Sequence, residues 1–245
     1  MMTSTTRPAA ADTSDGDRVA AGGARLALAP VVLTLQNGRL DGVASQVVLF
    51  KRNSAAAAGD VVVAWKVIRC PVGAHARVVV PFAQQIGVYD PRGAHAGVDD
   101  AHAGDVFNIA PGAIDAAGQA AAPVLGRVAG PAADSGATAK QALLSSLGPN
   151  MVGVRNATPD RALDVVLYKD GRPLCRHNAL APGADAQFEV LPYLHVAVCQ
   201  GLVEGAPVDA ATLAGATRIS LLGLKSADLV LTGAAEFQLR NPRFS

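Results

Sequence analysis

The sequence predicts an all-β protein made of two tandem, internally duplicated β-sandwich-like domains joined by a short helical linker. Three observations predict it. Stretches of five to eight residues rich in Val, Leu, Ile and Phe recur between Gly, Pro, Asn and Asp clusters, the rhythm of sandwiches and barrels. The same ordered series of segments runs through the chain twice. Half of the 245 residues are hydrophobic but only 4% are aromatic, so the core is assembled from small side chains, Ala and Val above all.

On this reading the chain divides into a polar N-terminal arm (1–29), a first β domain (30–130), a linker (131–148) and a second β domain (149–245). The arm mixes Thr, Ser, Ala, Pro and Gly with Asp12, Asp15 and Asp17, too little apolar surface to offset its own ordering entropy. Its expected place is across a neighbouring subunit, added to an exposed sheet edge and anchored at Leu26, Leu28 and the strand Val31–Leu35.

In the first domain, NGRLDGVASQVVLFK from Asn37 to Lys51 parallels NATPDRALDVVLYK from Asn156 to Lys169 in the second. GAHARVVVPF from Gly73 to Phe82 parallels GADAQFEVLPY from Gly183 to Tyr193, and each leads into a short apolar strand, Ile86–Tyr89 or Val196–Cys199. Val98-Asp99 and Ala103-Gly104 are matched with Val208-Asp209 and Ala214-Gly215. Val61–Arg69 does not alternate cleanly, so either both of its faces are covered or one meets a partner. Thr138 caps a predicted linker helix, AKQALLSSL, which Gly148-Pro149 stops. Tyr168-Lys169-Asp170-Gly171-Arg172 is a tight hairpin signal, because Gly accepts the positive φ such turns demand.

A net charge of +1, with no basic run longer than Lys51-Arg52, leaves no field to gather nucleic acid. No apolar window approaches the roughly 18 residues that span a bilayer. Residues 1–29 lack the apolar core of a Sec-type signal, and three cysteines fit a reducing compartment better than a disulfide framework. The expected location is the cytoplasm, and the excess of Arg over Lys with abundant Ala is the usage of a high-GC bacterial genome.

Familiar catalytic and phosphate-binding motifs are missing from the sequence: there is no G-x-S-x-G, no G-x-x-x-x-G-K-[ST] and no H-E-x-x-H. Two clusters remain as candidates. Cys175, His177, His195 and Cys199 have the strand spacings i, i+2 and i, i+4 that put each pair on one face, and four such donors suit a tetrahedral zinc. Against zinc, the spacings are not those of zinc knuckles, and the first copy carries Ala64, Lys66, Gln85 and Tyr89 at the aligned positions. His95, Asp99, Asp100 and His102, with Asp105, crowd one expected loop as candidate binding residues. Trp65 is a third candidate, as a ligand platform, although core packing explains a lone Trp on an apolar strand better.

No catalytic residue and no cofactor is expected. The function expected from the sequence is that of a non-enzymatic structural or interaction protein that self-associates, as a homo-oligomer or scaffold, through its tandem β domains. The alternatives are a small-molecule or glycan-binding module with its site between the domains, and, third, a metal-dependent hydrolase.

Overall fold

The structure, a computed structural model, describes residues 29–39, 45–54, 57–90, 95–112, 122–128, 147–148, 150–233 and 235–245. It is nearly all β, with four sheets among the described residues. One sheet contains β1 (Val31–Asn37), β5 (His75–Val80), β16 (Leu224–Leu231) and β17 (Phe237–Phe244) in the order β17-β16-β1-β5. A second contains β2 (Ser45–Phe50), β4 (Ala64–Cys70), β14 (Tyr193–Cys199) and β15 (Thr217–Ser220) in the order β15-β14-β2-β4. The third has β3 (Asp60–Val62), β6 (Gln84–Tyr89), β7 (His95–Ala101), β11 (Leu163–Lys169) and β12 (Arg172–Leu180), ordered β3-β12-β11-β6-β7. The fourth has β8 (Val106–Ala110), β9 (Val124–Arg127), β10 (Met151–Asn156) and β13 (Asp185–Glu189), ordered β13-β10-β8-β9.

Every sheet draws strands from both halves of the chain. β1, β2, β4 and β5 pair with β14 to β17, while β6 to β9 pair with β10 to β13. Apart from β3, which joins β12, sheet pairing groups the strands of residues 31–80 with those of 193–244, and the strands of 84–127 with those of 151–189, so strands on the two sides of 130–149 share every sheet. The physical reason is that strands with the same apolar pattern, such as β2 and β11, present similar edges, so either can complete the same kind of ladder. Sequence patterning does not distinguish the two.

The sheet orders nevertheless correspond. Exchanging each strand for its counterpart turns β17-β16-β1-β5 into β9-β8-β10-β13, and β15-β14-β2-β4 into β7-β6-β11-β12. The two parallel pairs, β1 with β16 and β10 with β8, exchange as well. Val47–Lys51 and Val165–Lys169 thus fall at matching places. One sequence match does not hold in space: Val98-Asp99 lies in β7, whereas Val208-Asp209 leads into a one-turn helix, α1 (Ala210–Ala214), with Asp209 as its N-cap.

Asn37 and Asn156 show why the repeated segments begin with Asn. Asn37 Nδ2 donates to the Cys70 carbonyl at the end of β4, and Asn156 Nδ2 to the Leu180 carbonyl at the end of β12. Each side-chain oxygen accepts a backbone N–H two residues on, from Arg39 or Thr158. Gly73 and Gly183 sit at φ of 73° and 74° and donate to the Asn37 and Asn156 carbonyls. A side-chain amide at each place satisfies backbone groups where two strands leave their ladders.

Val61–Arg69 fails to alternate because it changes sheets. β3 pairs with β12, β4 pairs with β2, and Val63 between them makes an isolated bridge to Pro207. β2 reads as a continuous apolar run because both its faces are covered. Val47 and Leu49 enter the main core with Leu33, Trp65, Val165 and Phe188, while Val48 and Phe50 pack with Ala64, Ala197, Cys199 and Val208. The hairpin stands as read: Asp170 and Gly171 take φ of 55° and 67° between β11 and β12. The arm through residue 28 and, except for Leu147, the predicted linker helix AKQALLSSL with its Thr138 cap lie outside the described residues. No described helix is long and apolar enough to cross a membrane.

Candidate functional site

β2 leads directly into Lys51 and β11 ends on Lys169, while the two segments that carry the chain between sheets, 81–83 and 190–192, follow β5 and β13. Prolines at 81 and 192 lack an N–H and interrupt ladder pairing there. The lysines supply the missing donors. Lys51 Nζ donates to the Leu191 carbonyl at 2.5 Å, and Lys169 Nζ to the Pro81 carbonyl at 2.5 Å and the Phe82 carbonyl at 3.4 Å. Each half thus ties down the other half's crossover. The side chains are deeply buried, Lys51 at 1% exposure and Lys169 at 7%.

Burial without a paired carboxylate disfavours an ammonium. Lys51 is lowered to about 8 by burial, with Glu189 opposing. Lys169 is lowered to about 7, by burial first and then by the charge of Lys51, with Asp170 opposing. Beside Lys51, Tyr193 Oη lies 2.6 Å from Glu189 Oε2 and 2.7 Å from the Arg52 carbonyl, so one proton serves two acceptors. The Tyr193 ring carries Lys51 Nζ at 4.5 Å and the Arg218 guanidinium at 4.1 Å from its centroid. Burial and the Glu189 carboxylate hold the phenol well above its ordinary range. Burial works to raise Glu189, but hydrogen bonds from Ser54 and Tyr193 and the charge of Lys51 outweigh it and keep the carboxyl ionised.

A cleft of about 470 Å³ opens against Lys169 where the two crossovers run together. Val80, Pro81, Phe82, Val190, Leu191, Pro192, Ala101 and Leu221 form its apolar walls, and Gln84, His102, Lys169 and Tyr193 its polar points. Gln84 is 93% buried: its exposure is 7%, its Nε2 donates to the Val190 carbonyl, and its Oε1 has no partner among the described residues. That oxygen is closed off from solvent, so leaving it unpaired carries a desolvation cost in the folded protein.

The structure does not gather the four candidate zinc ligands. Cys175 and His177 stand in β12 and His195 and Cys199 in β14, in different sheets. Cys175 Sγ contacts the Lys51 carbonyl at 3.6 Å, and burial pushes its thiol up to about 12. His177 Nδ1 is 2.7 Å from Asp60 Oδ1. His195 stacks on Phe50 and meets Tyr193 edge-on, and burial plus the charges of Arg52, Arg218 and Lys51 lower it to about 4. Cys199 packs with Val48 and Ala64, and burial raises its thiol to about 11. Among the described residues no three His, Cys, Asp or Glu side chains form a metal-holding group.

The expected His/Asp loop is instead mostly strand β7. Pairing with β6 is accommodated by a register shift at Tyr89 and a positive φ of 119° at Gly97, which lets a Gly-containing run join an edge. Alternation then sends Asp99 and Asp100 to opposite faces. Arg127 pairs with Asp99 at 3.3 Å and Asp105 at 3.4 Å, and Gln85 Nε2 donates to Asp100. His102 Nδ1 lies 3.2 Å from Asp105 Oδ2, and His95 aligns with Tyr89. Trp65 is fully buried, its indole N–H donating to the Lys169 carbonyl at 2.7 Å.

The lysines, Gln84 and Glu189 were not among the sequence candidates. The available signal was Lys closing Val-Val-Leu-aromatic in both repeats, in a chain with few lysines. Comparison with protein-family models, curated proteins and solved structures finds no match to this chain.

Proposed function

We propose that the protein is a small-molecule-binding module whose site is the cleft between the two crossovers. The observation that carries this reading is a largely apolar cleft of about 470 Å³ lined by both crossovers, with His102, Lys169 and Tyr193 among its few polar points. Apolar walls supply affinity and few polar points fix orientation, the usual build of such sites. The test uses 1-anilinonaphthalene-8-sulfonate, which has apolar rings and one N–H donor. Saturable fluorescence enhancement with near-UV circular dichroism unchanged supports the reading. Ala83→Trp, at the exposed rim of the cleft, should abolish the enhancement; equal binding by this variant, or no saturable binding by the wild type, overturns it.

A second reading, self-association, rests on a separate observation. Leu222, Phe244 and Leu239 are 74%, 67% and 40% exposed around a groove of about 290 Å³ between β15 and β17. Edge-to-edge pairing of β17 is opposed by Arg240, Pro242, Arg243 and the positive φ of 49° at Asn241, devices that blunt sheet edges. Association would run through the side-chain patch. A mass above 24.8 kDa in solution that Leu222→Lys returns to the monomer supports it, and a monomer at every concentration removes it.

The corresponding sheet orders support an internal duplication whose copies exchange their second halves, each unit being sandwich-like. Three buried cysteines without a disulfide support a reducing compartment such as the cytoplasm.

A further inference from the structure

We propose that Lys169 captures small apolar aldehydes and ketones that enter the crossover cleft, holding them as a reversible imine. The inference rests on the cleft being a ligand site and adds what that ligand is. Its first support is placement. Lys169 lines the cleft, and its Nζ donates to the carbonyls of Pro81 and Phe82, two residues of the same wall. Two carbonyls match the two N–H bonds of a neutral amine and leave its lone pair unused.

The second support is the missing counter-ion. Among the described residues no carboxylate pairs with Lys169, and the adjacent Asp170 is taken by Lys66 at 3.1 Å and Arg172 at 3.3 Å. Lys51 adds a second positive charge nearby, and with burial it brings Lys169 to about 7, so a large share of the amine is neutral at physiological pH. A desolvated lysine beside another cation is the standard way to make an amine nucleophilic. Third, the apolar walls offer contact to the body of the carbonyl compound.

The step balances without an oxidant or reductant. The amine lone pair forms a C–N bond to the carbonyl carbon, and the C=O π pair moves to oxygen, which takes a proton as nitrogen loses one. The carbinolamine then expels water to give C=N. One water is released and no electrons change hands.

The full-length protein is incubated with benzaldehyde and cyanoborohydride over pH 6 to 10, and labelled lysines are identified by peptide mass. Labelling of Lys169 at least about tenfold above Lys66 and Lys225, with a pH midpoint near 7, is the expected result. Labelling that follows exposure, with Lys225 first, overturns the inference, as does a Lys169 midpoint near that of surface lysines. Binding of 1-anilinonaphthalene-8-sulfonate read in parallel separates the two proposals: retained binding with an unlabelled Lys169 rejects the imine and leaves the cleft. Labelling of Lys169 by formaldehyde but not benzaldehyde also rejects it, because the amine would then react without the cleft. Because Lys169→Met removes a buried tie and can fail to fold, the wild-type pH profile decides.

Discussion

Raising the pH from 6.5 to 9 is expected to stabilise the protein, against the common pattern of maximal stability near neutrality. In the unfolded chain a lysine titrates near 10.5, whereas in the folded protein Lys169 titrates at about 7 and Lys51 at about 8. Between the folded and unfolded values the unfolded state binds more protons, so unfolding becomes less favourable as pH rises. The burial penalty is fully present below the folded value and is relieved above it. At about 1.4 kcal/mol per pH unit, the climb from about 7 to 9 is worth about 3 kcal/mol for Lys169, and the climb from about 8 to 9 about 1 kcal/mol for Lys51. Their mutual repulsion counts once, since Lys169 discharges first. As pH approaches 9 the gain begins to be opposed by Cys70, Cys175 and Cys199, whose thiols burial holds neutral while unfolded thiols ionise. The assay is urea unfolding at half-unit pH steps, read by the single Trp65, which is fully buried. Lys169→Met should flatten the rise to about 1 kcal/mol while keeping the backbone carbonyl that Trp65 bonds. A wild type whose stability is level or falling over this range, or a Lys169→Met variant with the wild-type slope, refutes the reasoning.

Three further outcomes are expected. Asn156→Ala strands the Arg161 and Leu180 carbonyls and the Thr158 N–H, and should cost about 2–3 kcal/mol in urea unfolding. Acid should destabilise the protein as pH falls from 6.5 towards 4, because unfolded His195 takes a proton that the folded residue resists; His195→Phe should remove that part of the pH dependence. Single Ala substitutions at Cys175, His177, His195 and Cys199 should cost roughly 1–3 kcal/mol each, and a chelator should leave the Tm unchanged; stoichiometric zinc with unfolding on its removal would contradict this.

The β class was legible because strands covered on one face alternate, as Val31, Leu33 and Leu35 do in β1. The Asp170-Gly171 turn was legible because few residues accept its backbone angles. Pairing across halves was not, since β2 and β11 carry the same apolar pattern and either satisfies the other's neighbours. The change of sheet at Val63 looked like a strand with two covered faces, because periodicity records burial and not which ladder supplies it. The zinc candidates shared faces within each pair, but nothing local told that β12 and β14 belong to different sheets. Lys51 and Lys169 marked the repeat without marking a site, since a lysine at a strand end is ordinarily solvated. Only the crossover carbonyls, brought there by distant sequence, make their burial affordable.

The most direct measurement of the cleft reading is methyl NMR of the full-length protein titrated with 1-anilinonaphthalene-8-sulfonate. Val80, Val190, Leu191 and Leu221 line the cleft, while Leu222 and Leu239 line the exposed groove between β15 and β17. Saturable shifts confined to the first four residues are the predicted result; shifts at Leu222 and Leu239 with the cleft methyls unmoved would contradict it.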